Sequence, residues 1–391
     1  MPDDIVITQQ SWFSRLGDAF KGVFAGLLLV LGGIALLWWN EGRTITTAKA
    51  LAEGAGLVVS VEAGRVEPGN EGKLVHVFGR AFAGGQLTDP DFPFMAAQAL
   101  VLQRKVEMFQ WQEDQQTKEV KKMGGSVEKQ TSYSYQKVWS ASLKDSARFH
   151  ESAEHGNPAS MPYAPFTLKA SGARLGAFRL PAALLDLPAS EALRAPDNAP
   201  VSGKLRITAG QMYLGANPDA PEVGDVRIQY AYAPEQEVSV VARQMGDSFG
   251  AFSVSGGKRS IQMLKPGLLD AAAMFEAAQS ENRILAWIVR VGGTLGLCLG
   301  IYLVLRPLSV AGDVIPLIGS MLNAGAGLVA ALLGLACGLI VIALAWIAHR
   351  PILGALLLVA ASSAVVGMRI LAKRRDARAA PETGVAVSRM T

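Results

Sequence analysis

Two histidines and two glutamates stand within six residues, and their side chains are of the types that could bind a divalent transition metal. His150 and His155 lie five residues apart, with Glu151 and Glu154 between them. Ligands on one helix face are four residues apart, and the Gly-Asn-Pro sequence at 156–158 indicates a turn instead. A solvated loop is the favoured interpretation, so we expect neither a metal nor a cofactor.

Other signatures of catalysis are absent from the sequence. It contains no Gly-x-Ser-x-Gly elbow, no His-Glu-x-x-His, no phosphate-binding loop and no Cys-x-x-Cys. We therefore expect a protein that is not an enzyme. The net charge of +4 gives no sign of nucleic-acid binding, because a basic cluster near the C-terminus largely accounts for it.

Long apolar runs dominate the rest of the sequence. Hydrophobic residues make up 50% of the chain and charged residues 18%, a composition typical of membrane proteins. A helix crosses the hydrocarbon with about 20 residues, and four runs approach or exceed that length, one of them interrupted only by Arg290. The sequence predicts a polytopic α-helical membrane protein with four transmembrane helices, at residues 20–39, 284–305, 324–348 and 352–371.

The uncharged run at 314–348 needs a break, because a straight helix of that length would extend well beyond a hydrocarbon core of about 30 Å. Pro316, Gly319 and Asn323 all lie in its first third. We therefore predict that residues 306–323 form a cytoplasmic, interfacial or re-entrant segment and that the span begins at 324.

The first apolar run has an alternative interpretation as a cleaved signal peptide, since the Ala-Lys-Ala sequence at 48–50 resembles a cleavage site. The run is longer than an ordinary signal core, and it ends in Trp38 and Trp39, which are typical of a membrane interface. An uncleaved helix is favoured.

Positive charge next to the spans predicts the orientation. Lys373, Arg374, Arg375 and Arg378 make residues 372–391 a basic tail, which should be cytoplasmic. Four crossings place residues 1–19 on the same side and residues 40–283 on the other side. In a bacterium this orientation means an inner-membrane protein with a periplasmic domain, and in a eukaryote it means a lumenal domain.

Residues 40–283 are predicted to form a β-rich α+β extracytoplasmic domain inserted between the first and second helices. A Pro, Ala and Asn-rich stretch at 188–200 is typical of a linker between two subdomains. Leu100–Trp111 favours a strand, although 96–105 could equally be helical. The further predicted elements are strands at 56–61, 73–82, 133–139 and 223–232, and short helices at 181–187 and 268–278.

Seven strings, in order along the chain, resemble the transmembrane protein 43 (LUMA) family. They occupy residues 38–43, 106–113, 133–140, 149–158, 175–180, 224–228 and 287–293. The resemblance covers essentially the whole chain. The candidate site residues that it singles out are Trp39, Asn40, Glu41, Gly42, Arg43, Glu107, Met108, Trp111, Tyr135, Trp139, His150, Asn157, Pro158, Gly224, Asp225, Arg227 and Arg290.

The resemblance implies a membrane protein that organises membrane assemblies and associates with itself, located in the endoplasmic reticulum and nuclear envelope in eukaryotic members. It implies no reaction. A composition rich in Ala, Gly and Arg favours a bacterial member, for which nuclear partners do not carry over. The expected partners are the lipid bilayer, copies of the chain and other membrane proteins.

Most of the singled-out residues have a structural interpretation. Trp39 is an interface anchor, and Asn40–Arg43 is predicted to be a helix exit in which Gly42 takes a left-handed conformation. Glu107 and Trp111 are more often a solvated edge and a core filler than a binding site.

Two function classes remain open. A membrane scaffold is favoured by glycines that permit close helix approach, at 292, 296, 300, 334 and 338. A small transporter or channel component would use Arg290 as a functional charge and residues 314–323 as a re-entrant gate. A single ionisable residue in the spans and the lack of an inverted repeat disfavour the second class.

Arg290 has a predicted structural partner. It should lie about 9 Å inside the second span, near the outer interface. Its guanidinium can donate up to five hydrogen bonds, so we expect a carboxylate or a backbone carbonyl at the exit of the first helix as the acceptor, and Glu41 stands at the matching depth. We predict that this pair fastens the first helix to the second.

Overall fold

Three long helices and a β-rich region make up the part of the chain that the computed structural model describes, residues 4–92, 95–193, 205–208 and 211–350. The helices are α1 (Trp12–Leu57), α2 (Ala271–Gly312) and α3 (Pro316–His349). Each is long and apolar enough to cross a membrane. The predicted fourth span at 352–371 and the tail at 372–391 lie outside the described residues.

The strands lie almost entirely between α1 and α2. They are β1 (Asp4–Gln10), β2 (Val59–Ser60), β3 (Leu74–Phe82), β4 (Leu87–Thr88), β5 (Met95–Ala96), β6 (Ala99–Lys121), β7 (Val127–Ser140), β8 (Phe166–Lys169), β9 (Arg174–Leu175), β10 (Phe178–Arg179), β11 (Glu191–Leu193), β12 (Leu205–Thr208), β13 (Gln211–Leu214), β14 (Val226–Pro234), β15 (Glu237–Met245), β16 (Ser248–Gly250), β17 (Phe252–Val254), β18 (Arg259–Ile261) and β19 (Met263–Pro266).

Two large sheets organise these strands. One follows the order β1-β7-β6-β14-β13-β12, with β8 on β6 and β11 on β14, and the other follows β19-β15-β16-β10-β9-β3-β2, with β15 also on β3. The first half of β6 contributes to two hydrophobic cores: Leu100 packs with Phe178 and Val240, and Leu102 packs with Ile228. The predicted β-rich character of this region is confirmed.

Several predicted elements match and others do not. The predicted strands at 73–82, 133–139 and 223–232 correspond to β3, β7 and β14, and β6 shows that the helical alternative for 96–105 is wrong. The predicted strand at 56–61 retains only β2, because α1 continues to Leu57. A single short 3-10 turn at Ala182–Leu184 replaces the helix predicted at 181–187. Part of the predicted linker, β11, pairs with β14, and residues 194–200 lie outside the described residues.

The helices extend beyond the apolar runs. The C-terminal end of α1 continues because Ala50, Leu51 and Gly54 are buried against the β-rich region and the start of α2. Asp270 caps α2 by accepting a bond from the backbone N–H of Ala273 (2.7 Å). The apolar runs therefore predicted where the long helices lie but not where they end. Packing of residues outside those runs sets the helix ends.

The segment predicted at 306–323 is helical except for a break at 313–315, so a re-entrant stretch at 316–323 is contradicted. α3 is one continuous helix of 34 residues that begins at Pro316, and α2 continues through Pro307 to Gly312. Proline is well tolerated in the first turn of a helix because its missing N–H has no partner there in any case. Pro316 therefore starts the helix instead of breaking it.

Glycines bring the helices into close contact, although not all of the predicted ones do. A Cβ on Gly300 would lie 2.8 Å from the carbonyl oxygen of Gly26, and one on Gly338 would lie 2.9 Å from Thr294. By contrast, nothing lies within 4 Å of such an atom on Gly292 or Gly296. The contact face of α2 therefore includes Gly293 and Gly300, since side chains recur on one helix face at three and four residues.

The N-terminal strand is an unexpected element. Over its whole length β1 pairs antiparallel with β7, from Asp4 opposite Tyr133 to Gln10 opposite Val127. The sequence interpretation had placed residues 1–19 as a segment separated by the membrane from the region that contains β7. The structure instead joins the two in one sheet.

Replacing Gly300 with alanine should lower the stability of the detergent-solubilised protein by about 1–3 kcal/mol, because the added methyl group meets a backbone carbonyl. Gly296→Ala on the same helix is the matched control and should leave stability unchanged or raise it by up to about 1 kcal/mol through helix propensity. Thermal unfolding of both variants measures the difference. Equal effects of the two changes would show that the glycine contact does not hold α1 to α2.

Candidate functional site

Glu41 and Arg290 form an ion pair between α1 and α2. Nε of Arg290 donates to Oε1 of Glu41 (2.6 Å) and Nη2 donates to Oε2 (2.8 Å). Glu41 is 1% exposed, and the guanidinium also lies over the ring of Trp287. The predicted pair is therefore confirmed, with the bidentate geometry that makes such bonds strong.

The neighbouring residues of α1 extend this junction. The side chain of Asn40 donates to the carbonyl of Ala286 (3.1 Å), and Arg43 donates to the side chain of Asn282 (3.2 Å). Asn282 in turn donates to the backbone carbonyl of Thr44 (3.0 Å). These bonds connect one helical turn of α1 with one of α2. Arg43 also lies over the exposed ring of Trp39, at 6.0 Å from its centroid.

Gly42 has a different role from the one predicted. It lies inside α1, not at a left-handed helix exit, because the helix continues to Leu57. A Cβ at this position would overlap the imidazole of His349 at the end of α3. The glycine therefore permits α3 to approach α1 beside the Glu41–Arg290 pair.

A second group of singled-out residues lies on the sheet formed by β6, β7 and β14. Glu107 and Arg227 are direct partners across β6 and β14, and Nε of Arg227 donates to the Glu107 carboxylate (2.5 Å). The same guanidinium lies 4.6 Å from the ring centroid of Trp139. Met108, the next residue, is fully buried in the core. Glu107 is thus a paired residue, in contrast to the solvated edge that the sequence favoured.

Asn157 attaches the loop after β7 to β6. Its side chain accepts from the backbone N–H of Trp111 (2.7 Å) and donates to the Trp111 carbonyl (2.9 Å) and to the carbonyl of Lys144 (3.2 Å). Gly224, at φ +99°, presents an open Cα beside Pro158, where a Cβ would lie 3.3 Å from the ring. The loop therefore takes the place of a neighbouring strand beside Trp111 of β6.

Asp225 organises the turn before β14. Its carboxylate accepts from the hydroxyl of Tyr213 (2.5 Å) and from the backbone N–H of Glu222 (2.8 Å). Burial, together with the bond to Asp225, raises the pKa of Tyr213. The tyrosine therefore remains a neutral hydrogen-bond donor.

The two histidines that could have formed a metal site serve in aromatic packing. His155 stacks on Tyr135 with ring centroids 3.7 Å apart, and His150 stacks on Tyr133 at 4.4 Å. The Tyr135 hydroxyl donates to Glu113 (2.7 Å), and burial together with this bond raises the pKa of Tyr135 to about 12. In the described residues, no group of three or more possible ligands could hold a metal ion.

The sequence interpretation missed a charged cluster at the opposite end of the helices. Asp313, between α2 and α3 and 2% exposed, accepts from Arg15 at the start of α1 (2.5 Å) and from Lys121 at the end of β6 (2.6 Å). We call this cluster the latch. Two further bonds complete it: Trp12 donates to the carbonyl of Val310 (2.9 Å), and Arg15 donates to that of Gly125 (2.6 Å).

A buried network beside the second core was also missed. Arg104, 3% exposed, donates to Asp89, Asp91 and the carbonyl of Ala164. Burial lowers the pKa of Arg104, but its bonds to Asp91 and Asp89 outweigh burial and raise it. The Tyr230 hydroxyl donates to Asp89, and burial with that bond raises the pKa of Tyr230. The available signal for Arg104 was its place among Leu102, Val106 and Met108, because alternate residues of a strand share one face.

The singled-out residues thus form two groups rather than one site. Asn40–Arg43 and Arg290 join the helices, Trp39 lies exposed beside Arg43, and the remaining residues join β6, β7, β14 and the loop between β7 and β8. The rival transporter interpretation loses its re-entrant gate but retains a charged residue in the second span. Arg290 is paired with Glu41, and residues 316–323 are part of a continuous helix.

Comparisons with known proteins give a consistent result. The family model described as Transmembrane protein 43 matches residues 108–351. Transmembrane protein 43 of Mus musculus is 32% identical over 361 residues, covering 89% of this chain and 90% of that protein. That of Homo sapiens is 32% identical, covering 88% of each chain, and the homolog of Drosophila melanogaster is 28% identical, covering 87% and 92%. No solved structure matches the chain.

The Glu41–Arg290 pair should show strong coupling in a double-mutant cycle. Arg290→Leu and Glu41→Gln each remove one partner, so each should lower stability by about 1.5–3 kcal/mol, and the double variant should lose at least about 1 kcal/mol less than their sum. Thermal unfolding in detergent provides the measurement.

The exposed pair Arg179–Asp247 serves as the control for that cycle, because solvent screens it and Arg179→Leu should cost less than about 1 kcal/mol. Additive losses at Glu41 and Arg290 would mean that the two residues act separately.

Proposed function

Because the chain belongs to the transmembrane protein 43 family, we propose that it is a non-enzymatic membrane scaffold that associates with itself and holds other membrane proteins through its β-rich region and helices. The observation that carries the proposal is a buried ion-pair site at each end of the helices, of which the first joins α1 to α2 and the second also joins the β-rich region to the helices through Lys121. Glu41 with Arg290 acts at one end, and the latch acts at the other.

Buried ion pairs at both ends of the helices are suited to a scaffold protein. A scaffold must hold its binding surfaces in a fixed relation, and buried charge pairs with matched geometry do so because separating them exposes uncompensated charge. The singled-out polar residues, including Asn157 and Arg227, are engaged in bonds between elements. Their chemistry supports rigidity.

The membrane supplies the first partner. Large apolar side chains such as Phe24, Leu28 and Leu31 are 75%, 71% and 64% exposed on α1, and lipid would cover them. We propose that the β-rich region lies on the periplasmic or lumenal side and that the C-terminus is cytoplasmic, in the inner membrane if the host is a bacterium. The basic flank at 373–378 supports this orientation.

Labelling can test the orientation. In a variant with Cys298 and Cys337 replaced by alanine, a cysteine replacing the 98%-exposed Asp186 should react with a membrane-impermeant maleimide in intact cells or right-side-out vesicles. A cytoplasm-dependent reporter fused after Thr391 should be active. Labelling of Asp186→Cys only after permeabilisation would invert the proposed orientation.

Self-association can be tested with two differently tagged copies produced together. We expect each tag to purify the other, and light scattering of the full chain in detergent to give a mass of at least two copies. Copies mixed after separate purification control for association in the micelle. A monomer that also shows no energy transfer between labelled copies in native membranes would refute the scaffold proposal in its self-associating form.

A further inference from the structure

A long polar ribbon extends from the β-rich region to the latch. It consists of β1 and the outer parts of β6 and β7, residues 112–121 and 127–137, joined by a turn at 122–126. We call it the polar ribbon. Its charged residues on the hairpin are Glu113, Asp114, Lys118, Glu119, Lys121, Lys122, Glu128, Lys129 and Lys137.

The polar ribbon occupies the same depth as the apolar helices. Its tip lies at the latch, where the N–H of Gly124 donates to the carbonyl of Val314 (3.1 Å). Along α2 the latch is separated from Arg290 by about 35 Å, at about 1.5 Å per residue. The part of β7 in the ribbon, residues 127–137, extends over about 36 Å, at about 3.3 Å per residue. The ribbon therefore reaches across a full hydrocarbon thickness.

A single copy in a bilayer cannot keep the polar ribbon out of lipid while the apolar helices at the same depth are covered by it. Charged side chains and open strand edges are excluded from hydrocarbon, whereas the exposed apolar faces of the helices require it. Either the ribbon leaves the helices, or something other than lipid encloses it.

Departure of the ribbon is strongly disfavoured by the latch. Asp313 would lose Lys121, one of its two cationic partners, and Arg15 would lose its bond to Gly125. Removing one partner of a buried charge is far more destabilising than the pair is stabilising. Enclosure retains all of these contacts.

The two open edges of the polar ribbon lie at the same level and run in the same direction. Gln115–Lys121 of β6 and Asp4–Gln10 of β1 lie at the same level, since each is paired with residues 127–133 of β7. No strand in the described ranges pairs with the outer edge of either segment. Both segments run in the same direction because each is antiparallel to β7. Copies related by rotation about an axis along the strands can therefore join β1 of one to β6 of the next.

We propose that copies of this chain assemble through the polar ribbon, with β1 of each copy paired to β6 of its neighbour. Head-to-tail pairing of this kind closes into a ring when the rotation between neighbours divides a full turn, and a closed ring leaves no open edge. The ribbons lie inside the assembly, away from lipid, and the apolar helices face outward. The inference rests on the self-association proposed above and assigns its interface.

Cysteine crosslinking in native membranes tests this interface, in the variant with Cys298 and Cys337 replaced by alanine. Ile7 and Lys118 lie at one level, both opposite Gln130. Within one copy they are two strand spacings apart, about 9.6 Å, which is too far for a disulfide. The double variant Ile7→Cys/Lys118→Cys should give a ladder of covalent oligomers on oxidation. Gln116→Cys and Val120→Cys in place of Lys118→Cys cover a stagger between copies.

The matched control is Ile7→Cys/Gln130→Cys, whose positions are adjacent in one sheet and should give a disulfide within the monomer. A control disulfide with no ladder from any of the three pairs would refute the interface. Failure of the control would show that the ribbon has separated, which also overturns the proposal. Dimers from Ile7→Cys alone would replace it with a two-fold contact.

Light scattering of the same preparations separates this inference from the function on which it rests. Oligomers that do not crosslink would overturn the ribbon interface and leave the scaffold intact. A monomer would overturn both.

Discussion

The Glu41–Arg290 pair determines how α1 and α2 are joined. A carboxylate that is 1% exposed needs a cation of matched geometry, and Arg290 supplies two parallel bonds that define both the separation and the rotation of α1 relative to α2. The β-rich region leaves the end of α1 and returns at the start of α2. The pair therefore holds together the two helices that carry the inserted region, and the bonds of Asn40 and Asn282 continue the same junction.

Buried charge at the other end of the helices obeys the same constraint. Asp313 lies between α2 and α3 and is paired with two cations. Arg15 comes from the start of α1, and Lys121 comes from the end of β6. Between the two charged layers the helices make contact through glycine, as at Gly26 and Gly300, where there is no room for a side chain. Charge thus sets the ends of the helix unit, and small residues set its width.

Chemically versatile residues in this protein act mainly as connectors. His155 stacks between elements, Asn157 substitutes for a missing strand neighbour, and Arg227 joins an ion pair to an aromatic ring. Each of these arrangements uses a polar group to specify one contact, because an unsatisfied buried donor or acceptor is costly. Metal sites and catalytic sites use the same types of side chain. The residues that each side chain contacts distinguish a structural role from a chemical one.

Local patterns were sufficient to predict three of the helices, the β-rich insertion and the Glu41–Arg290 pair, since apolar length, strand composition and interface depth are properties of neighbouring residues. The helix ends at Leu57 and Pro316, the position of Gly42 against His349 and the latch at Asp313 could not be predicted in this way. Each depends on contact with residues far away in the chain. β1 is the clearest example: seven residues at the N-terminus become a strand because β7, more than a hundred residues later, offers them an edge.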